Sequence, residues 1–169
     1  PSDAAAWIAC IRRAWLDKHQ STTVYEPDAF NQLLSDLGLA HEAAMLARLE
    51  GQYPVIQAIS FDHTQVLMQQ GAPVIYQGRL VDEQQGLVGY PDFLIRHESG
   101  GYQPADAKLS LSENKKTIQI QLGIYRRLLR NELPAMVFLG DGRTGLLGNE
   151  VNPVVDEFIT GMRALLDLP

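Results

Sequence analysis

At 169 residues the chain has the length of one domain, and 46% hydrophobic with 20% charged residues is the balance of a chain that folds around a core. No apolar run approaches the roughly 18 residues that a membrane helix needs. The single cysteine, Cys10, excludes a disulfide framework, a zinc site of several thiolates and a four-cysteine iron–sulfur cluster. Fourteen Lys and Arg against 20 Asp and Glu, a net charge of −6, exclude a basic coat of the histone kind and leave room for a local basic face only.

A helix is predicted over 2–18, with Ser2 or Asp3 as its cap and Cys10 inside it. After a polar stretch over 20–26, Pro27 suits a first helical turn, and helical spacing resumes through Phe30, Leu33, Leu34 and Leu37 to about Leu49, with Gly38 a candidate break. Strands are expected over 54–59 and 73–76, around a short helix over 62–70 that Gly71 ends. Residues 79–82, 86–96 and 102–109 read as a meander of antiparallel strands, the last two joined by a turn over 98–101. A helix over about 114–130, a strand over 135–139, a hairpin turn at Asp141-Gly142 and a helix over about 153–166 complete the order. No signal-peptide pattern is present, so a cytoplasmic location is expected, and a start at Pro1 rather than Met suggests a chain processed or cut from something longer. The glycines at 140, 142 and 145 lack the lysine of a phosphate-binding P-loop.

The chemistry concentrates in Gly89-Tyr90-Pro91-Asp92-Phe93 and Asp106-Ala107-Lys108. Residues two apart on a strand face the same way, so Asp106 and Lys108 project together, and pairing around the 98–101 turn brings Asp92 to the same point. A lone DxK on a strand is most often a surface ion pair, but here the neighbours are Pro104, Ala105, Ala107, Leu109 and Phe93. In an apolar setting the two carboxylates repel each other and both acids and the ammonium must be desolvated, unless a cation sits between the acids, and Mg²⁺ takes such oxygen ligands.

On the 114–130 helix, Ile118, Leu122, Tyr125 and Leu129 form an apolar stripe with Gln121 beside it. Lys115, Lys116, Arg126, Arg127 and Arg130 fall within a sector of roughly 120° at 100° per residue. Residues 108–130 hold six Lys and Arg and one acid, which makes that sector either a solvated face or a track for phosphates. His41, on a stripe with Leu34, Met45 and Leu49, reads on its own as a core histidine.

The order GYPDF, PADAK and Gln121-Leu-Gly-Ile-Tyr125 resembles the PD-(D/E)xK nuclease superfamily, specifically the RecB-like exonuclease branch with its QxxxY helix motif. The match covers residues 86–130, and His41-Glu42 extends it upstream. The resemblance implies a restriction-endonuclease-like α/β core, a central mixed sheet flanked by helices. It implies one domain over 1–169, with a helical part over about 1–50 and the catalytic core over about 51–169. It also implies Mg²⁺ or Mn²⁺ held by His41, Asp92 and Asp106, Lys108 at the attacking water, and Gln121 and Tyr125 shaping the site, with Glu42 a weaker candidate ligand. The activity implied is metal-dependent hydrolysis of DNA, as an exonuclease on single strands or ends, in repair, recombination or defence. A helicase or second nuclease domain is the expected partner, and no membrane. Some relatives hold an iron–sulfur cluster. Cys10 stands where its first cysteine would be, but no cysteine follows Gln121, so no cluster is expected and Cys10 reads as a packing residue. The rival readings are a catalytically silent nucleic-acid-binding or scaffold module, for which Asp92 and Asp106 have no use, and a small-molecule hydrolase, which the basic sector disfavours.

Overall fold

The computed structural model describes residues 2–19 and 28–167. The cap side chains expected of Ser2 or Asp3, the polar stretch and the Pro27 turn lie outside what it describes. In place of one N-terminal helix there are two, α1 (Ser2–Ala9) and α2 (Ile11–His19), meeting at Cys10. Cys10 falls between the two helices and not inside one, and it is exposed, which corrects its packing role. The sheet-side core is instead reached by Ala4 and Ala14, and Trp7 meets Phe158 edge to face at 5.5 Å.

Helix α3 (Ala29–Glu50) opens on Asp28, whose side chain accepts from Asn31 N–H. It runs unbroken through Gly38, because one glycine costs a helix only about 1 kcal/mol and its neighbours on both sides are helix formers. Strand β1 (Val55–Gln57) leads to α4 (Phe61–Gln70), capped by Ser60 and closed by Gly71 in the left-handed region, φ 74°. Strand β2 (Val74–Tyr76) follows.

The expected meander is divided. Strands β3 (Leu80–Asp82) and β4 (Leu87–Gly89) pair only with each other, while β5 (Phe93–Arg96) joins the main sheet beside β6 (Tyr102–Lys108). The run over 86–96 breaks at Tyr90-Pro91, where proline has no N–H to continue a ladder. Helix α5 (Lys116–Leu129), β7 (Ala135–Leu139), β8 (Thr144–Leu147), a short 3₁₀ turn and α6 (Asn152–Leu166) complete the chain. Gly142, at φ 86°, makes the turn between β7 and β8.

The result is an α/β fold with a mixed sheet of order β1-β2-β5-β6-β7-β8, in which β1/β2 and β6/β7 are parallel and the other pairs antiparallel. Helix α3 lays Met45, Leu46 and Leu49 on the face formed by Val74, Phe93, Ala105 and Phe138. The opposite face packs against α5, which α1 and α6 cover in turn. Among the described residues no helix is long and apolar enough to cross a membrane.

Candidate active site

The register of β5 against β6 places the acids. Phe93 lies opposite Ala105 on the α3 face, so the flanking Asp92 and Asp106 fall together on the other face. Each carboxylate is gripped by the other's strand. Asp92 N–H donates to Asp106 Oδ1 at 3.1 Å, and Ala107 N–H donates to Asp92 Oδ2 at 2.8 Å. Asp106 is 0% exposed, and its Oδ2 has no partner in hydrogen-bond geometry, only the Lys108 ammonium 2.6 Å away.

Burial sets the electrostatics. Desolvation, then the Asp106 charge, push Asp92 up to about 7, against the pull of the Ala107 N–H. Burial likewise raises Asp106, although Lys108 opposes it. Burial works against the Lys108 ammonium, but the charges of Asp106, Asp92 and Glu42 outweigh it and raise its pKa, so Lys108 stays charged at neutral pH.

Glu42, from α3, is the third acid of this field. Its Oε1 accepts from Tyr76 OH at 2.8 Å and lies 3.4 Å from Gln77 Nε2. Gln77 takes a left-handed backbone, φ 52°, and its N–H donates to Asp92 O, so a strained turn ties this network to the acid strand. Burial, then the bond to Glu42, push Tyr76 up to about 12. Glu42 and Asp92 line one open cleft of about 440 Å³ together with Ser60, Gln77, Arg79 and Tyr90.

Gln121 and Tyr125 act on the acid strand from α5, which packs on the sheet face that Asp106 also faces. Gln121 Nε2 donates to Tyr125 OH at 2.8 Å, and that hydroxyl donates to Tyr90 O at 3.0 Å, two residues before Asp92. Tyr125 is fully buried, and burial followed by the Asp106 charge raises its pKa. The ring packs against Gly89, where a Cβ would come within 2.6 Å of Tyr125 Cδ1. Glycine is therefore required at the head of the GYPD segment for the tyrosine to reach its carbonyl.

Other expected residues are placed differently. His41 Nε2 lies 3.0 Å from Phe138 O, on a helix that covers the sheet face opposite Asp106. It is Glu42, one residue on, that shares the cleft with Asp92. The basic sector of α5 is not a free surface. Arg126 is 4% exposed and donates to Leu133 O, Gly148 O and Asn149 Oδ1. Arg127 pairs with Asp156 at 2.6 Å and Arg130 with Asp82 at 3.0 Å. Only Lys115 and Lys116, at the start of α5, are exposed and outside any ion pair among the described residues. The reason is visible in the helix itself, since Arg126 falls about 40° from Leu122 at 100° per residue, next to the buried stripe. Sequence reasoning missed Tyr76, Gln77, Arg79 and Tyr90. Tyr90 stood inside the quoted motif, and Arg79 followed a glycine at the mouth of the same strand run.

The donors available to a metal are hard oxygens, with the unsatisfied Asp106 Oδ2 chief among them, and they suit Mg²⁺ or Mn²⁺. As the side chains stand, no three His, Cys, Asp or Glu among the described residues converge into a ready ligand cluster. Lys108 occupies the free oxygen of Asp106. No protein-family model matches the chain, and no curated protein matches it.

Proposed function

We propose that the chain is a metal-dependent nuclease that hydrolyses phosphodiester bonds of DNA, with a restriction-endonuclease-like core of the RecB-like kind. One observation carries the reading: the buried Asp106 and the half-buried Asp92 carboxylates, interlocked through the backbone N–H groups of Asp92 and Ala107, with a lysine two residues further along the same strand and 2.6 Å from the second acid. Such an arrangement burdens the fold, as the raised pKa of Asp92 records, and burdens of this kind are retained where they serve chemistry. The resemblance of GYPDF, PADAK and the Gln121–Tyr125 pair to that family supports the same conclusion.

Asp92 and Asp106 would hold Mg²⁺ or Mn²⁺, with Glu42 contributing across the cleft in the place first expected for His41. When bound, the ion supplies Lewis-acid charge at the phosphate and lowers the pKa of a water. Lys108, kept charged by its acidic neighbours, donates hydrogen bonds that orient the attacking water and share the negative charge developing on the phosphate. Gln121 and Tyr125 hold the Tyr90 carbonyl and so keep Asp92 in register with Asp106.

The test is degradation of end-labelled DNA by the purified chain in Mg²⁺, Mn²⁺ or EDTA, with Asp106→Asn alongside. Cleavage that needs the metal and disappears in the variant is the expected result. A folded chain that leaves single strands, duplexes and RNA intact in both metals overturns the proposal.

A further inference from the structure

The cleft beside the carboxylates carries two side chains that the hydrolysis itself does not use. Tyr90 leaves 50% of its surface in solvent although its backbone is pinned: its carbonyl accepts from Tyr125, and buried Pro91 follows it. Arg79 is equally fixed at the main chain and exposed. Its N–H donates to the hydroxyl of fully buried Thr64, and it stands between the buried residues Gly78 and Leu80. The guanidinium sits over the Tyr90 ring, 5.8 Å from its centroid, and has no carboxylate partner among the described residues. Arg127, Arg130 and Arg143, by contrast, are all spent on ion pairs.

We infer that Arg79 and Tyr90 form a stacking site for one unpaired nucleotide next to the reacting phosphate. This rests on the proposed nuclease reading and assigns to it a nucleotide-binding subsite. The guanidinium lies over one face of the Tyr90 ring, and an unpaired base can stack on the rest of the half-exposed ring or on the guanidinium plane, whereas a base inside a duplex has no free face to offer. The guanidinium beside it suits the phosphate of that nucleotide. A cleft of about 440 Å³ is in the range of small-molecule sites, roughly 300–1,000 Å³. Beyond Arg79 and Ser60 the surface continues as a second groove lined by Asp62, Asp82, Glu83 and Arg130. Tyr90 is two residues from Asp92, so a base seated on it holds the adjoining phosphate at the acids.

The experiment measures binding apart from cleavage. Fluorescein-labelled 12-nucleotide single strands and blunt duplexes are titrated by anisotropy in Ca²⁺, with a gel to verify that the strand stays intact, for wild type, Tyr90→Leu, Tyr90→Trp and Arg79→Gln. Wild type is expected to prefer the single strand, Tyr90→Leu to lose about tenfold in affinity for it, and Tyr90→Trp to keep it. Arg79→Gln is expected to weaken binding and lower the salt slope by about one phosphate contact. Wild-type affinity in Tyr90→Leu, or equal binding of the duplex, overturns the stacking site. Selective binding without any cleavage in Mg²⁺ or Mn²⁺ leaves the site standing and removes the nuclease reading. Cleavage with no effect of Tyr90→Leu on affinity does the reverse.

Discussion

Replacing Asp92 by asparagine is expected to stabilise the metal-free chain at alkaline pH. Burial and the neighbouring Asp106 raise the Asp92 pKa from its ordinary 3.8 to about 7, so the folded state holds a proton that the unfolded chain releases. The sign follows from linkage: the contribution is fully present below pH 3.8 and is lost as pH rises through about 7, so stability falls across that window. At 1.36 kcal/mol per pH unit the span amounts to about 4 kcal/mol. Asp92 keeps part of its surface in solvent, which screens the charge, and about 2 kcal/mol is the expected gain for Asp92→Asn at pH 8. The amide oxygen can still accept from Ala107 N–H, so the strand contact survives. Urea denaturation in EDTA at pH 5 and pH 8 reads the effect. The variant should gain clearly at pH 8 and much less at pH 5. Destabilisation at pH 8, or the same difference at both values, would refute the reasoning that Asp92 is a strained acid.

Divalent metal should reverse that burden. Mg²⁺ at pH 8 is expected to raise the wild-type melting temperature, by about 2.7 kcal/mol of stability at a hundred times its Kd, and to leave Asp106→Asn unmoved in a thermal melt. The same titration at pH 6 should show weaker binding, because Asp92 then carries a proton. Gly89→Ala forces a methyl into the Tyr125 ring and should cost about 1–3 kcal/mol in denaturant titration, together with loss of cleavage as the Tyr90 anchor shifts. Arg126→Met strands three acceptors and should cost roughly 3 kcal/mol, while the salt dependence of DNA binding stays as in wild type. A reduced salt slope for that variant would return Arg126 to the phosphate track.

What could be read from the residues alone divides along a physical line. Features decided within a few residues were legible: the Gly71 end of α4, the Gly142 turn, and the parity that sets Asp106 and Lys108 on one side of β6. Features decided by distant partners were not. The α5 sector looked free because its own periodicity shows one buried stripe. Yet the 3₁₀ turn and α6 press Val151 and Val155 against Gly123, and the 131–149 segment supplies the carbonyls and the Asn149 amide that bury Arg126. His41 and Glu42 are neighbours on one helix, and nothing local tells which of them meets the acids. That choice belongs to Tyr76 on β2, which draws Glu42, and to Phe138 on β7, which holds His41. Pro91 was in plain view, but its power to send β4 and β5 into different sheets depends on β2 being there to receive β5.

The central claim is that the acids and Lys108 divide the work, the acids holding a cation and the lysine acting on the reacting groups. Single-turnover cleavage of end-labelled single-stranded DNA at saturating Mn²⁺, wild type against Lys108→Ala, tests it most directly. Metal-dependent cutting by wild type and a rate lower by at least about 100-fold in the variant are expected, the scale of losing one aimed donor at a developing charge. Equal rates for the two chains would contradict the account.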